Sequence, residues 1–150
     1  MGALLATLLA AEQEPRQRGK VALLAPAFAL RPLEQRALRW LARAGLLPVL
    51  PGRRDGVGEP RYRSMPLRSV VQLIELQQVV CERVQPLPHP VLAMHGDDDW
   101  TIDPGHALPM LRQVLGPAPQ LRLVRGGEHL LLLGQHAPAV TAAIIEFLAT

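Results

Sequence analysis

The sequence holds one cysteine, Cys81, and one lysine, Lys20, among its 150 residues. A single thiol excludes an intrachain disulfide, so nothing here calls for an oxidising compartment, and a cytoplasmic location is expected. Cys81 falls in an apolar helical pattern and reads as a core residue. Basic charge rests almost wholly on arginine, and the net charge of +3 is spread along the chain without a basic stripe. Aromatic residues are only 3% of the total, so no stacking platform exists either, and no nucleic-acid partner is expected. No apolar run reaches the roughly 18 residues of a membrane span. Gly2 to Ala11 is apolar like a signal-peptide core, but no Lys or Arg precedes it.

What is present suits a folded domain. Apolar residues are 49% and charged residues 19% of the chain, a globular balance. Met1 to Glu12 reads as a helix with Leu4, Leu5, Leu8 and Leu9 in a stripe. It is apolar almost all round, which predicts a buried helix, and it has no N-cap before it. Val21 to Ala25 reads as a short buried strand. Pro32 to Ala44 reads as an amphipathic helix with apolar Leu33, Ala37, Trp40, Leu41 and Ala44, stopped by Gly45. Leu46 to Met65, with three prolines and three glycines, reads as a mobile loop. A second helix is predicted from Pro66 to about Val84. Val91 to His95 reads as a buried strand. Asp103-Pro104 opens a helix with Leu108, Leu111 and Leu115 inward. Gln120 to Val124 alternates, with Leu121 and Leu123 on one face, as in a strand near a sheet edge. Pro138 to Leu148 closes the chain as a helix with Val140, Ile144, Ile145 and Leu148 inward. Strands alternating with helices predict an α/β fold with a parallel sheet.

The chemistry gathers where two strands end. After Val91 to His95 comes Gly96-Asp97-Asp98-Asp99. After Gln120 to Val124 comes Arg125-Gly126-Gly127-Glu128-His129. Neighbouring parallel strands lie about 4.8 Å apart, so groups at matching ends can meet. Asp99 beside His129 would fix the tautomer of the imidazole and stabilise its charged form, the acid–base half of a nucleophilic triad. Asp97 and Asp98 read as a solvated turn, and His95 as a strand-end residue. His89, His106 and His136 have no partner visible in sequence. A metal site built from His95, Asp97, Asp99 and His129 is the weaker alternative, because ligand-spaced His or Cys pairs are absent. No metal and no cofactor is expected.

These motifs resemble the C-terminal half of an α/β-hydrolase, over essentially the whole chain. His95-Gly96-x-x-Asp99-x-x-Ile102 is similar to that family's acid-bearing turn. Gly126-Gly127-Glu128-His129-Leu130 is similar to its histidine turn, with Glu128 where relatives often have Gly. Ile144-Ile145-Glu146-Phe147-Leu148 resembles its last helix. Tyr62 to Arg68, leading into a long helix, resembles the small cap of bacterial carboxylesterases and monoacylglycerol lipases. The resemblance implies the C-terminal part of the fold, with about three parallel strands, flanking helices and a small helical cap. It implies a nucleophile helix and strand over 1–26, a cap over 27–85, and a core carrying the acid and histidine over 86–150.

It also implies a nucleophile that this sequence lacks. Family members carry Gly-x-Ser-x-Gly at a strand-to-helix turn, and that motif does not occur here. Met1-Gly2 followed by an apolar helix resembles the end of such a motif. The resemblance would place the serine immediately before Met1 and make the Met1 backbone amide an oxyanion-hole donor. Ser64 and Ser69 fall in the cap rather than at a strand-to-helix elbow. The expectation is a serine ester hydrolase truncated just after its nucleophile and inactive alone, whose substrate is a small ester with an apolar acyl group. The alternative is a non-catalytic binding module that keeps the fold. An open edge along Val21 to Ala25 would favour aggregation, whereas a stable monomer would favour the module.

Overall fold

The computed structural model describes residues 1–13, 19–28, 32–51, 64–84, 86–115 and 119–150. Three parallel strands form the frame: β1 (Val21–Leu24), β4 (Val91–Gly96) and β5 (Gln120–Val124), in the order β1-β4-β5. The helices are α1 (Gly2–Glu12), α2 (Pro32–Ala44), α3 (Leu67–Arg83), α4 (Pro104–Leu115) and α5 (Ala137–Ala149). A separate antiparallel pair joins β2 (Val49–Pro51) to β3 (Ser64–Pro66).

The centre of the sheet follows from the one strand that is buried on both faces. All six residues of β4 are buried, the pattern of a strand covered on each side. Side chains alternate along it. Val91 and Ala93 join Leu4, Leu23, Val80, Leu111 and Val114, which brings α1, α3 and α4 to one face. Leu92 and Met94 join Leu131, Val140 and Phe147, which brings α5 to the other. The result is a three-layer α/β/α arrangement.

Several helix faces differ from what periodicity predicts. α1 is not buried all round. Leu4, Thr7 and Ala10 face the core, while Leu5 and Leu9 are 51% and 62% exposed. Its composition is apolar on every side, so the pattern holds no information about which side is covered. In α5, Val140 and Phe147 are buried and Ile144 is half-buried, but Ile145 and Leu148 face solvent. α4 buries Ala107, Leu111, Val114 and Leu115, with Leu108 at the margin. Leu123 of β5 is 54% exposed, because β5 is an edge strand. Cys81 is half-buried and packs against the main core.

The segment predicted as a loop from Leu46 to Met65 begins and ends in the β2–β3 pair, with Leu50 opposite Met65. Three-residue strands are too short to show a period. The rest of that segment, 52–63, lies outside the described residues, as does Tyr62 of the cap resemblance. α2 stops where expected. Gly45 takes φ +66, and the amides of Gly45 and Leu46 reach back to the carbonyls of Ala42 and Leu41. Those are the paired bonds of a Schellman end, and they need a residue at ease in the left-handed region.

Two long-range ties orient the outer helices. Lys20 Nζ donates to the carbonyl of Phe147 at 2.9 Å and to Thr150 Oγ1 at 3.2 Å, closing the last turn of α5. The buried ring of His89, at the foot of β4, lies with Nε2 2.9 Å from the Ala10 carbonyl and Nδ1 3.0 Å from that of Gly19. The C-terminal end of α1 therefore stands at the foot of the sheet, and its head points toward the edge where β4 and β5 end.

Candidate active site

Register sets the site. Gly96 pairs with Val124, so β4 and β5 finish at the same level. The two turns that follow are then locked together. The amides of Asp97 and Asp98 donate to the carbonyls of Val124 and Gly127, at 3.2 and 3.1 Å. Asp97 Oδ1 accepts the Gly126 amide at 2.6 Å, and His136 Nε2 lies 3.1 Å from the Gly126 carbonyl. Gly96 is required at this crossing. A Cβ there would stand 2.0 Å from the Gly127 carbonyl oxygen.

Asp99 sits inside this lock, with its side chain fully buried. One carboxylate oxygen, Oδ1, accepts the amides of Thr101 at 2.8 Å and Ile102 at 2.9 Å. The other, Oδ2, accepts Nδ1–H of His129 at 2.8 Å. Burial pushes the Asp99 carboxyl up. The hydrogen bond from His129, those from Ile102 and Thr101, and the attraction of the imidazole together outweigh it, and the acid ends below its ordinary value. It is ionised at neutral pH. The His129 side chain remains 28% exposed. With Nδ1–H committed to Asp99, Nε2 of the neutral ring carries the lone pair and is the nitrogen able to take a proton.

His95 is fully buried beside this pair. Its Nδ1 lies 3.2 Å from the Gly96 carbonyl and 3.6 Å from Asp99 Oδ2. Burial lowers its basicity, only partly offset by the Gly96 carbonyl and Asp99, so the ring is neutral at neutral pH. Reading His95 as a plain strand-end residue missed this contact, and reading Asp97 as merely solvated missed its bond to Gly126. In sequence, only the short spacing to Asp99 hinted at either.

The other histidines also have partners. His106 Nδ1 lies 2.9 Å from Asp103 Oδ2, and Asp103 Oδ1 accepts the Gly105 amide at the head of α4. Among the described residues, no group of three or more His, Cys, Asp or Glu is arranged to hold a metal ion. Met1 heads α1, and its carbonyl accepts the amides of Leu4 and Leu5. Ser64 on β3 and Ser69 in the first turn of α3 are both exposed, and neither follows a strand of the central sheet.

No protein-family model matches the chain, and no curated protein sequence matches it. Solved structures do. A metagenome-derived lipolytic enzyme of the LipS and LipT pair superposes with a TM-score of 0.82 at 18% identity, covering 99% of this chain and 62% of that one. The fold is that of an α/β-hydrolase. A monoacylglycerol lipase from Paleococcus ferrophilus matches this chain with a TM-score of 0.71 at 14% identity, over 97% of this chain and 64% of its own. A monoglyceride lipase variant from Saccharomyces cerevisiae matches with 0.70 at 16% identity, over 98% and 61%. The chain thus spans about three-fifths of the length of these α/β-hydrolases. Among its described residues, no helix is long and apolar enough to cross a membrane.

Proposed function

We propose that these residues carry the acid and the general base of a serine ester hydrolase whose nucleophile lies outside them. The observation that carries the reading is the 2.8 Å bond from His129 Nδ1 to the buried, ionised Asp99 at the edge where β4 and β5 end. A solvated turn has no need of a carboxylate that is fully buried and aimed at an imidazole, and burying one is costly. In this reading the serine oxygen attacks the ester carbonyl carbon, and His129 Nε2 takes the serine proton. His129 returns that proton to the leaving alcohol, and the acyl-enzyme is then hydrolysed by water activated in the same way. Asp99 orients the ring and stabilises its charged form.

The direction of α1 supports placing the serine just ahead of Met1. In this reading the helix head and a serine ahead of it stand at the same edge of the sheet as Asp99 and His129. In this reading the Met1 amide is an oxyanion donor. The region 27–85 acts as a cap over an apolar acyl pocket, and the substrate is a carboxylic ester with an apolar acyl group.

The test compares two polypeptides on a p-nitrophenyl ester. The 150-residue chain alone is expected to be inert. A longer polypeptide with Gly-x-Ser and its preceding strands ahead of Met1 is expected to turn over. There, Asp99→Asn lowers kcat by about 10⁴-fold, since the amide favours the wrong imidazole tautomer. Turnover by the 150 residues alone, abolished by His129→Ala, would place the nucleophile within them and overturn the reading.

A further inference from the structure

His95 has no place in the mechanism above, and its surroundings do not explain it as packing. The ring is fully buried, yet among the described residues its Nε2 has no hydrogen-bond partner. An unfilled buried acceptor is a cost to the fold that a phenyl or leucine side chain would avoid. The interaction that the ring does make lies on its other side. Nδ1 is 3.2 Å from the Gly96 carbonyl, which can only accept, so the proton of the neutral ring sits on Nδ1. That same N–H is 3.6 Å from Asp99 Oδ2, the oxygen that holds His129.

We propose that His95 is a positioning residue, whose Nδ1–H sets the Asp99 oxygen that anchors His129. The remaining contacts of the carboxylate leave that task open. Oδ1 is fixed by the Thr101 and Ile102 amides, which pin one oxygen but let the carboxylate pivot about it. Oδ2 accepts from the partly exposed ring of His129, and the buried ring of His95 stands 3.6 Å from it on the other side. Of the two rings, His95 is the more deeply buried. It is the penultimate residue of the central strand, and its own N–H is anchored to Gly96. At 3.6 Å its pull on Oδ2 is that of a nearby dipole rather than a full hydrogen bond, and the burial of both side chains strengthens it. A neutral ring suits the task, because a charged one would compete with His129 for the carboxylate.

The inference rests on His129 being the proton carrier, but its test does not need turnover. The bonded Nδ1 proton of His129 gives a resolved downfield proton resonance, and its exchange with water can be measured on the 150-residue chain. In His95→Phe, which keeps the ring and removes the N–H, exchange is expected to rise about fivefold, the factor that roughly one kcal/mol of lost anchoring gives. The thermal midpoint is expected to hold or rise, since the orphaned acceptor is gone. His95→Asn returns an N–H near the Nδ1 position and is expected to restore the wild-type exchange rate. His95→Gln, with its N–H one bond farther out, carries the same expectation as His95→Phe and replaces it if the phenyl ring does not fold. Exchange unchanged in the variants without the N–H, or raised equally in His95→Asn, overturns the proposal. Correct exchange behaviour with no turnover in the extended polypeptide would instead sink ester hydrolysis and leave the positioning intact.

Discussion

Gly96 has no room for a methyl group. Its Cβ would fall 2.0 Å from the Gly127 carbonyl oxygen, which already accepts the Asp98 amide, and 2.8 Å from that of Glu128. Gly96→Ala must therefore push the acid turn and the histidine turn apart. We expect a loss of about 3 kcal/mol in urea unfolding, the upper part of the usual range for overpacking. The downfield His129 proton should broaden or vanish with it. A variant of wild-type stability would show that the two turns do not need their close approach. Asp99 makes a prediction with a sign. Its folded-state acidity lies below the ordinary value, so it adds stability above the unfolded-state value of about 3.9. That contribution is lost as pH falls through the folded-state value. The stability gap between wild type and Asp99→Asn should be widest near neutral pH and shrink in acid. A gap constant with pH would mean that the charge of Asp99 contributes nothing.

At the scale of elements, the sole lysine is the most informative side chain. Lys20 precedes β1 yet closes the C-terminal turn of α5, where free carbonyls and the helix dipole favour a cation. Its ammonium also lies 5.7 Å from the centre of the Phe147 ring. Lys20→Met is expected to cost about 1 kcal/mol, or a fall of roughly 2 to 4 °C in the thermal midpoint for a chain of this size. An unchanged midpoint would make the contact decorative. The strands of the central sheet, the helices and their order were legible in the sequence because each signal is local, whereas the three-residue β2 and β3 were not. Four apolar residues in a row, Val91 to Met94, mark a central strand, and Gly45 marks a helix end. The meeting of Asp99 with His129 was legible too, because matching strand ends follow from a parallel sheet. The faces were not. α1 is apolar on all sides, and α5 offers Ile144, Ile145, Phe147 and Leu148 within one turn and a half. Only tertiary packing chooses among them. His95 was hidden for a similar reason, since a buried histidine at a strand end looks the same in sequence whether or not it leans on a carboxylate.

For the whole molecule, the two edges of the sheet are unequally guarded. β5 carries Arg122 and is followed by Arg125, charges that discourage pairing with another chain. β1 offers Val21, Ala22, Leu23 and Leu24, uncharged throughout, and among the described residues it pairs only with β4. α1 packs beside β1 and turns Met1, Leu5 and Leu9, a single stripe of four-residue spacing, to solvent at 63%, 51% and 62% exposure. An unguarded edge next to an apolar helix face is where self-association should begin. Leu5→Glu with Leu9→Lys places an acid one turn before a base on that stripe, the order that both the i,i+4 pairing and the helix dipole favour. The double variant should keep its unfolding free energy within about 0.5 kcal/mol, as exposed substitutions usually do. Its sedimentation should stay monomeric to higher concentration than that of the wild type. If association is the same in both, the helix stripe is not the contact, and the bare edge of β1 is left as the surface through which these chains adhere.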